Sequence, residues 1–128
     1  MTNEKKIAGI NGFGRFGLHL IKYWLDRSEK SSFIIKYIND DFLSLDQSIK
    51  ILKNNKKVLF NKYKILKFEN KIKFLKPDGV IYEVEYSNKK KSHIPWIGKP
   101  DLFFESSGKN TLKKDCIKFL KNNTKIII

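Results

Sequence analysis

Gly12, Gly14 and Gly17 stand in the pattern Gly-x-Gly-x-x-Gly, and each spacing serves a different step in holding an anion. A glycine at the first position permits a sharp turn, at the second it lets the backbone approach a pyrophosphate, and at the third it lets a helix pack closely on a strand. The backbone N–H groups of Arg15 and Phe16 would then open a helix and point at the anion, helped by the positive end of the helix dipole. Alone the pattern fits a flexible loop equally well, so its meaning rests on its surroundings. Asp40 supplies a second element, following the third glycine at roughly the 20 residues where a carboxylate meets the ribose hydroxyls of a bound dinucleotide. A carboxylate there would repel a ribose phosphate, which favours NAD over NADP. Asn39-Asp40-Asp41 also reads as a polar turn, with Asp41 suited to cap the following helix.

Catalytic chemistry is harder to find. Cys116 is the single cysteine, which excludes a disulfide framework and a cysteine-based metal cage. It recurs at helical spacing with Leu112, Phe119 and Leu120, the setting of a buried structural thiol. His19 falls on a predicted helix and His93 in a lysine-rich loop, neither with a nucleophile near it in sequence. No catalytic residue and no metal site are assigned.

These groups need a frame. Lys5 to Asn11 is a short apolar run that stops at glycines, as a buried parallel strand feeding a tight turn would. From Arg15 to Arg27, Phe16, Leu20, Tyr23 and Trp24 recur at three- and four-residue spacing, with Leu18, Ile21 and Leu25 broadening the stripe, which predicts an amphipathic helix. Phe33 to Ile38 predicts a second strand, and a right-handed crossover would make the two strands parallel neighbours. Leu43 to Leu52 predicts a second helix, closed by Asn54 and Asn55. Over 57 to 86 apolar residues mostly alternate with polar ones, with turns at Asn70 and Pro77-Asp78-Gly79, which predicts an antiparallel excursion of two or three strands. Asp101 to Ser106 predicts another buried strand, Thr111 to Leu120 a helix, and Lys125 to Ile128 the opening of a further strand. Ile126-Ile127-Ile128 carries no cap or polar tail, so the expectation is a chain cut within a strand.

The fold class expected is therefore α/β, a Rossmann-type doubly wound, mostly parallel sheet with an antiparallel excursion, forming one incomplete domain over residues 1–128. The N-terminus lacks a secretory signal and no long apolar run occurs, so a cytoplasmic protein without membrane association is expected. A net charge of +14 raises nucleic acid as a partner, but only Arg15 and Arg27 among the 27 basic residues are arginine. Lysines spread through the chain among Asn and Ile read as a solvated coat, since nucleic-acid recognition leans on arginine forks.

The run Ile10-Asn11-Gly12-Phe13-Gly14-Arg15-Phe16-Gly17 resembles the N-terminal fingerprint of the glyceraldehyde-3-phosphate dehydrogenases. Ile38-Asn39-Asp40 with Leu45-Asp46 and Ile51-Leu52-Lys53, then Ile94-Pro95-Trp96, then Phe104-Glu105-Ser106-Ser107-Gly108 follow in the family's order. The resemblance implies an NAD-binding domain in which the glycine loop from Gly12 to Gly17, Phe13 included, holds the pyrophosphate on the backbone of Arg15 and Phe16. It implies Asp40 on the adenosine ribose, Lys89 near the adenine where the family has an arginine, and Ser106, Ser107 and Gly108 lining the cleft. In the complete enzyme it implies a glycolytic oxidoreductase, a homotetramer oxidising glyceraldehyde 3-phosphate with phosphate and NAD. The family's nucleophilic cysteine and basic histidine lie outside this sequence, so the chain alone is expected to be inactive. Asn54 to Phe60 lacks the family's Asp-Ser-x-His-Gly segment, Asp41 replaces a proline or apolar residue, and Ser107 replaces a threonine. An erythrose-4-phosphate dehydrogenase of the same family, and a stand-alone nucleotide- or RNA-binding module, are the alternatives.

Overall fold

A computed structural model describes residues 5–90, 93–107, 122 and 124–127. Strand β1 (Lys6–Asn11) leads through the glycine loop into helix α1 (Arg15–Asp26), strand β2 (Phe33–Asn39) and helix α2 (Leu45–Asn54). Strands β3 (Lys64–Phe68), β4 (Lys71–Leu75) and β5 (Ile81–Ser87) follow, then β6 (Leu102–Glu105) and β7 (Lys125–Ile127). The predicted helix over 111–120 lies outside the described residues. No described helix is long and apolar enough to cross a membrane.

All the described strands join one sheet in the order β3-β4-β5-β2-β1-β6-β7. β5, β2, β1, β6 and β7 pair in parallel, and β3-β4 and β4-β5 pair antiparallel. The excursion is thus part of the main sheet, its third strand returning to lie parallel to β2. Starting from β1, the chain builds outward through β2 and β5 on one side, then crosses to add β6 and β7 on the other.

Alternation along the strands divides the core. Ala8 and Ile10 of β1, Ile35 and Ile38 of β2, and Ile72, Phe74 and Val84 of the excursion pack with Leu18, Ile21, Trp24 and Leu25 of α1 and Ile49 and Leu52 of α2. On the opposite face Trp96 and Phe103 form a smaller cluster with Ile94 and Tyr37. Gly9 makes this second cluster possible, because a Cβ there would stand 2.5 Å from the Trp96 ring. A register shift between Ala8 and Gly9 leaves Lys36 of β2 without a partner in β1 and brings Tyr37 opposite Gly9, where it stacks on Trp96 at 5.5 Å.

Two helix expectations are corrected. The buried stripe of α1 is Gly17, Leu18, Ile21, Trp24 and Leu25, whereas Phe16 and Tyr23, read as core, stand 63% and 59% exposed. Gly17 fixes this rotation, since its Cα lies so near the Gly12 carbonyl that a Cβ would approach it to 2.4 Å. Helix α2 begins at Leu45, two residues late, because Ser44 rather than Asp41 is its N-cap. The Ser44 hydroxyl accepts from the Gln47 N–H while the Gln47 side chain accepts from the Ser44 N–H, a reciprocal capping box.

Candidate functional site

The carboxyl ends of β1, β2, β5 and β6 bring together every described residue of the predicted site. Gly12 follows β1 with φ at +108°, a left-handed conformation that suits glycine, and a Cβ there would strike the backbone of Ser107 at 2.5 Å. Gly14 differs: among the described residues nothing lies within 4 Å of where its Cβ would stand, and Gly14, Arg15 and Phe16 are all exposed. Gly14 is also the N-cap of α1. Among the described residues no side chain caps the N–H groups that open α1, and the loop forms a cradle lined by backbone. The three glycines have three separate structural reasons.

Asp40 closes this cradle from β2. Its Oδ2 accepts from the Phe13 N–H at 2.7 Å, and its Oδ1 accepts from the N–H groups of Phe42 and Leu43, both at 2.9 Å. A carboxylate has about four acceptor positions, and three are occupied by backbone. The side chain, itself buried, ties the glycine loop to the turn before α2. Phe13 enters the loop through this backbone contact, its ring buried edge-on against Tyr86 at 6.3 Å. Burial pushes the Tyr86 phenol above its ordinary range, with the Ser48 hydrogen bond opposing and the Asp40 charge adding to the rise. It therefore stays protonated and donates to the Leu43 carbonyl at 2.6 Å.

From β6, the Ser106 hydroxyl donates to the Gly12 carbonyl at 2.9 Å and the Ser107 hydroxyl to Glu105 at 2.5 Å. Both serines serve the architecture of the loop and stand half-buried at its rim. Lys89 follows β5 with an exposed side chain, its backbone bonded to the Asn39 side chain. Gly108 and Cys116 lie outside the described residues. His19 and His93 are both exposed. Among the described residues no cluster of three His, Cys, Asp or Glu could hold a metal. A cavity of about 450 Å³ opens beside the loop between α1 and α2, with Gly14, Arg15, His19, Leu43, Asn55 and Lys57 in its wall.

Sequence reading missed the polar groups beneath this surface: buried Asn11, Asn39 and Glu105, and half-buried Ser87. Their signal was available, since three polar residues end apolar strands where burial demands hydrogen-bond partners. No family model and no curated protein matches the chain.

Proposed function

We propose that this chain is the NAD-binding domain of a phosphorylating glyceraldehyde-3-phosphate dehydrogenase, with a Rossmann-type doubly wound sheet. The observation that carries the reading is the glycine loop at the position where strand order reverses, between β1 and β6. In doubly wound sheets ligands bind in the crevice outside the strand ends at such a reversal. The fit to a dinucleotide is favourable at each group. Gly14 leaves the room a pyrophosphate needs, Arg15 and Phe16 offer N–H groups at a helix start that no described side chain caps, and Asp40 sets a carboxylate beside the loop for a ribose hydroxyl.

NAD, when bound, supplies the hydride acceptor. This chain's residues would bind and orient it: the loop backbone on the pyrophosphate, Asp40 on the ribose, Ser106 and Ser107 at the rim of the cleft. The sequence fingerprint from Ile10 to Gly17 and the later segments in register with it support the specific family. Oxidation of glyceraldehyde 3-phosphate with phosphate, and assembly as a tetramer, follow from that family reading for the complete enzyme.

Titration calorimetry with NAD tests the proposal. The parent chain should bind NAD with an affinity that depends weakly on salt, whereas binding through the lysine coat would collapse as salt rises. Gly14→Val fills the cradle and should weaken NAD at least tenfold, about 1.4 kcal/mol, with an unchanged circular dichroism spectrum. Gly12→Val should lower stability as well, because both its φ and the Ser107 backbone resist a side chain. A Gly14→Val protein that binds NAD like the parent would remove the loop from the site.

A further inference from the structure

Beneath the loop, five side chains cross the ends of neighbouring strands in single file. The Trp96 Nε1–H donates to Ser87 Oγ at 3.2 Å, and the Ser87 hydroxyl donates to Asn39 Oδ1 at 2.7 Å. The Asn39 amide donates to Asn11 Oδ1 at 2.9 Å, and the Asn11 amide donates to the Glu105 carboxylate at 3.0 Å. Asn39, Asn11 and Glu105 are all buried. The file has one direction, set at Asn39 and at Glu105. The Lys89 N–H donates to Asn39 Oδ1 at 3.1 Å and the Lys89 carbonyl accepts from the Asn39 amide at 2.9 Å, while the Glu105 carboxylate accepts from Asn11. With Asn39 held this way, Asn11 turns its carbonyl toward Asn39 and its NH₂ toward Glu105.

We infer that Glu105 is a positioning residue for the glycine loop, holding the ends of β2, β1 and β6 in register by fixing the direction of this file. Its effect on ligand binding rests on the dinucleotide reading above. The link to the loop is short. The Asn11 carbonyl accepts from the Ser106 N–H at 2.9 Å, the Gly12 N–H donates to the Asn39 carbonyl at 2.7 Å, and the Gly12 carbonyl sits between the Ser106 hydroxyl and Gly17. A shift of the β6 end relative to β1 is thus passed directly to the start of α1. Three donors from described residues converge on Glu105: the Asn11 amide, the Ser107 N–H and the Ser107 hydroxyl. A glutamine in its place would set its own NH₂ against one of them. Flipping Asn11 only transfers the clash to Asn39, whose carbonyl and amide are held by the Lys89 N–H and the Lys89 carbonyl and cannot exchange places without losing both bonds.

Amide hydrogen exchange and NAD calorimetry on the full chain test this with Glu105→Gln, Asn11→Asp and the double variant. In the double variant the amide introduced at position 105 donates its NH₂ to the carboxylate introduced at position 11, and its oxygen accepts from Ser107. The new carboxylate still accepts from the Asn39 amide, so the direction is restored. Each single change should raise exchange at Gly12, Phe13 and Ser106 about tenfold and weaken NAD about tenfold, the scale of one lost hydrogen bond to a charged group. Exchange at Ile72 and Val84 of the excursion should stay at the parent level. The double variant should recover to within about threefold of the parent on both readouts. Parent-like exchange in Glu105→Gln, or a double variant as loose as the singles, overturns the inference. Loosened exchange with unchanged NAD affinity overturns the positioning role. If the parent does not bind NAD, the dinucleotide reading fails while the exchange arm still decides the file. Should Glu105→Gln not fold, Ser87→Ala breaks the file at its other end, and unchanged exchange at Gly12 there is equally fatal.

Discussion

At the scale of single residues, Asp40 braces the backbone and, in the reading proposed above, also meets the ribose, and one substitution separates the two. Removing its carboxylate leaves the N–H groups of Phe13, Phe42 and Leu43 without their acceptor, whatever the ligand does. Asp40→Ala should therefore lower stability by about 1 to 3 kcal/mol in urea titration, and also weaken NAD and narrow its preference over NADP. A loss of stability with the NAD to NADP ratio intact would make Asp40 a brace for the turn alone. The sequence could place Asp40 directly after the end of a strand. It could not tell how many acceptor positions the backbone had already taken, because the Phe13 N–H that takes one of them is brought there by tertiary contact.

Elements were legible where periodicity and end signals agreed. The strand, helix, strand opening and the alternating excursion follow from apolar spacing, and Asn55 ends α2 as the asparagines there suggest. The start of α2 was read early because Leu43 continues the apolar period, whereas the capping box of Ser44 and Gln47 decides the boundary. Ser44→Ala should cost about 1 kcal/mol in thermal or urea unfolding, with α2 fraying at its first turn. The facing of α1 was less legible: with apolar residues covering most of its circumference, only the contact between Gly17 and the Gly12 carbonyl selects the side that turns inward. The polar file under the loop escaped because Asn11, Asn39, Ser87 and Glu105, read singly, are ordinary strand ends. Its meaning appears once β6 is known to lie beside β1.

Across the whole molecule, Asp26 and Tyr86 contribute to opposite ends of the pH range. Burial pushes the Asp26 carboxyl up, but hydrogen bonds from Lys22 and Tyr63 and the charges of Lys22 and Lys62 outweigh it, holding it below its ordinary 3.8. That stabilisation is present above 3.8 and is lost as pH falls through the folded value. The Tyr86 phenol is displaced the other way, so its contribution is full below 10.0 and is lost as pH rises through its folded value. Thermal melts across pH should decline on both limbs, and Asp26→Asn should flatten the acid limb and soften the alkaline one, because, after burial, the Asp26 hydrogen bond and charge also raise the Tyr63 phenol. An acid limb unchanged in Asp26→Asn would assign it to other carboxylates.

The one-way hydrogen-bond file has a further consequence for how such a chain can change over generations. Asn11, Asn39 and Glu105 are far apart in the sequence but occupy one circuit, and a reversal of any single member meets a neighbour of the wrong polarity. They behave as a single inherited character spread over three positions. Drift there must proceed by compensated pairs or by replacing the whole circuit with apolar side chains at once.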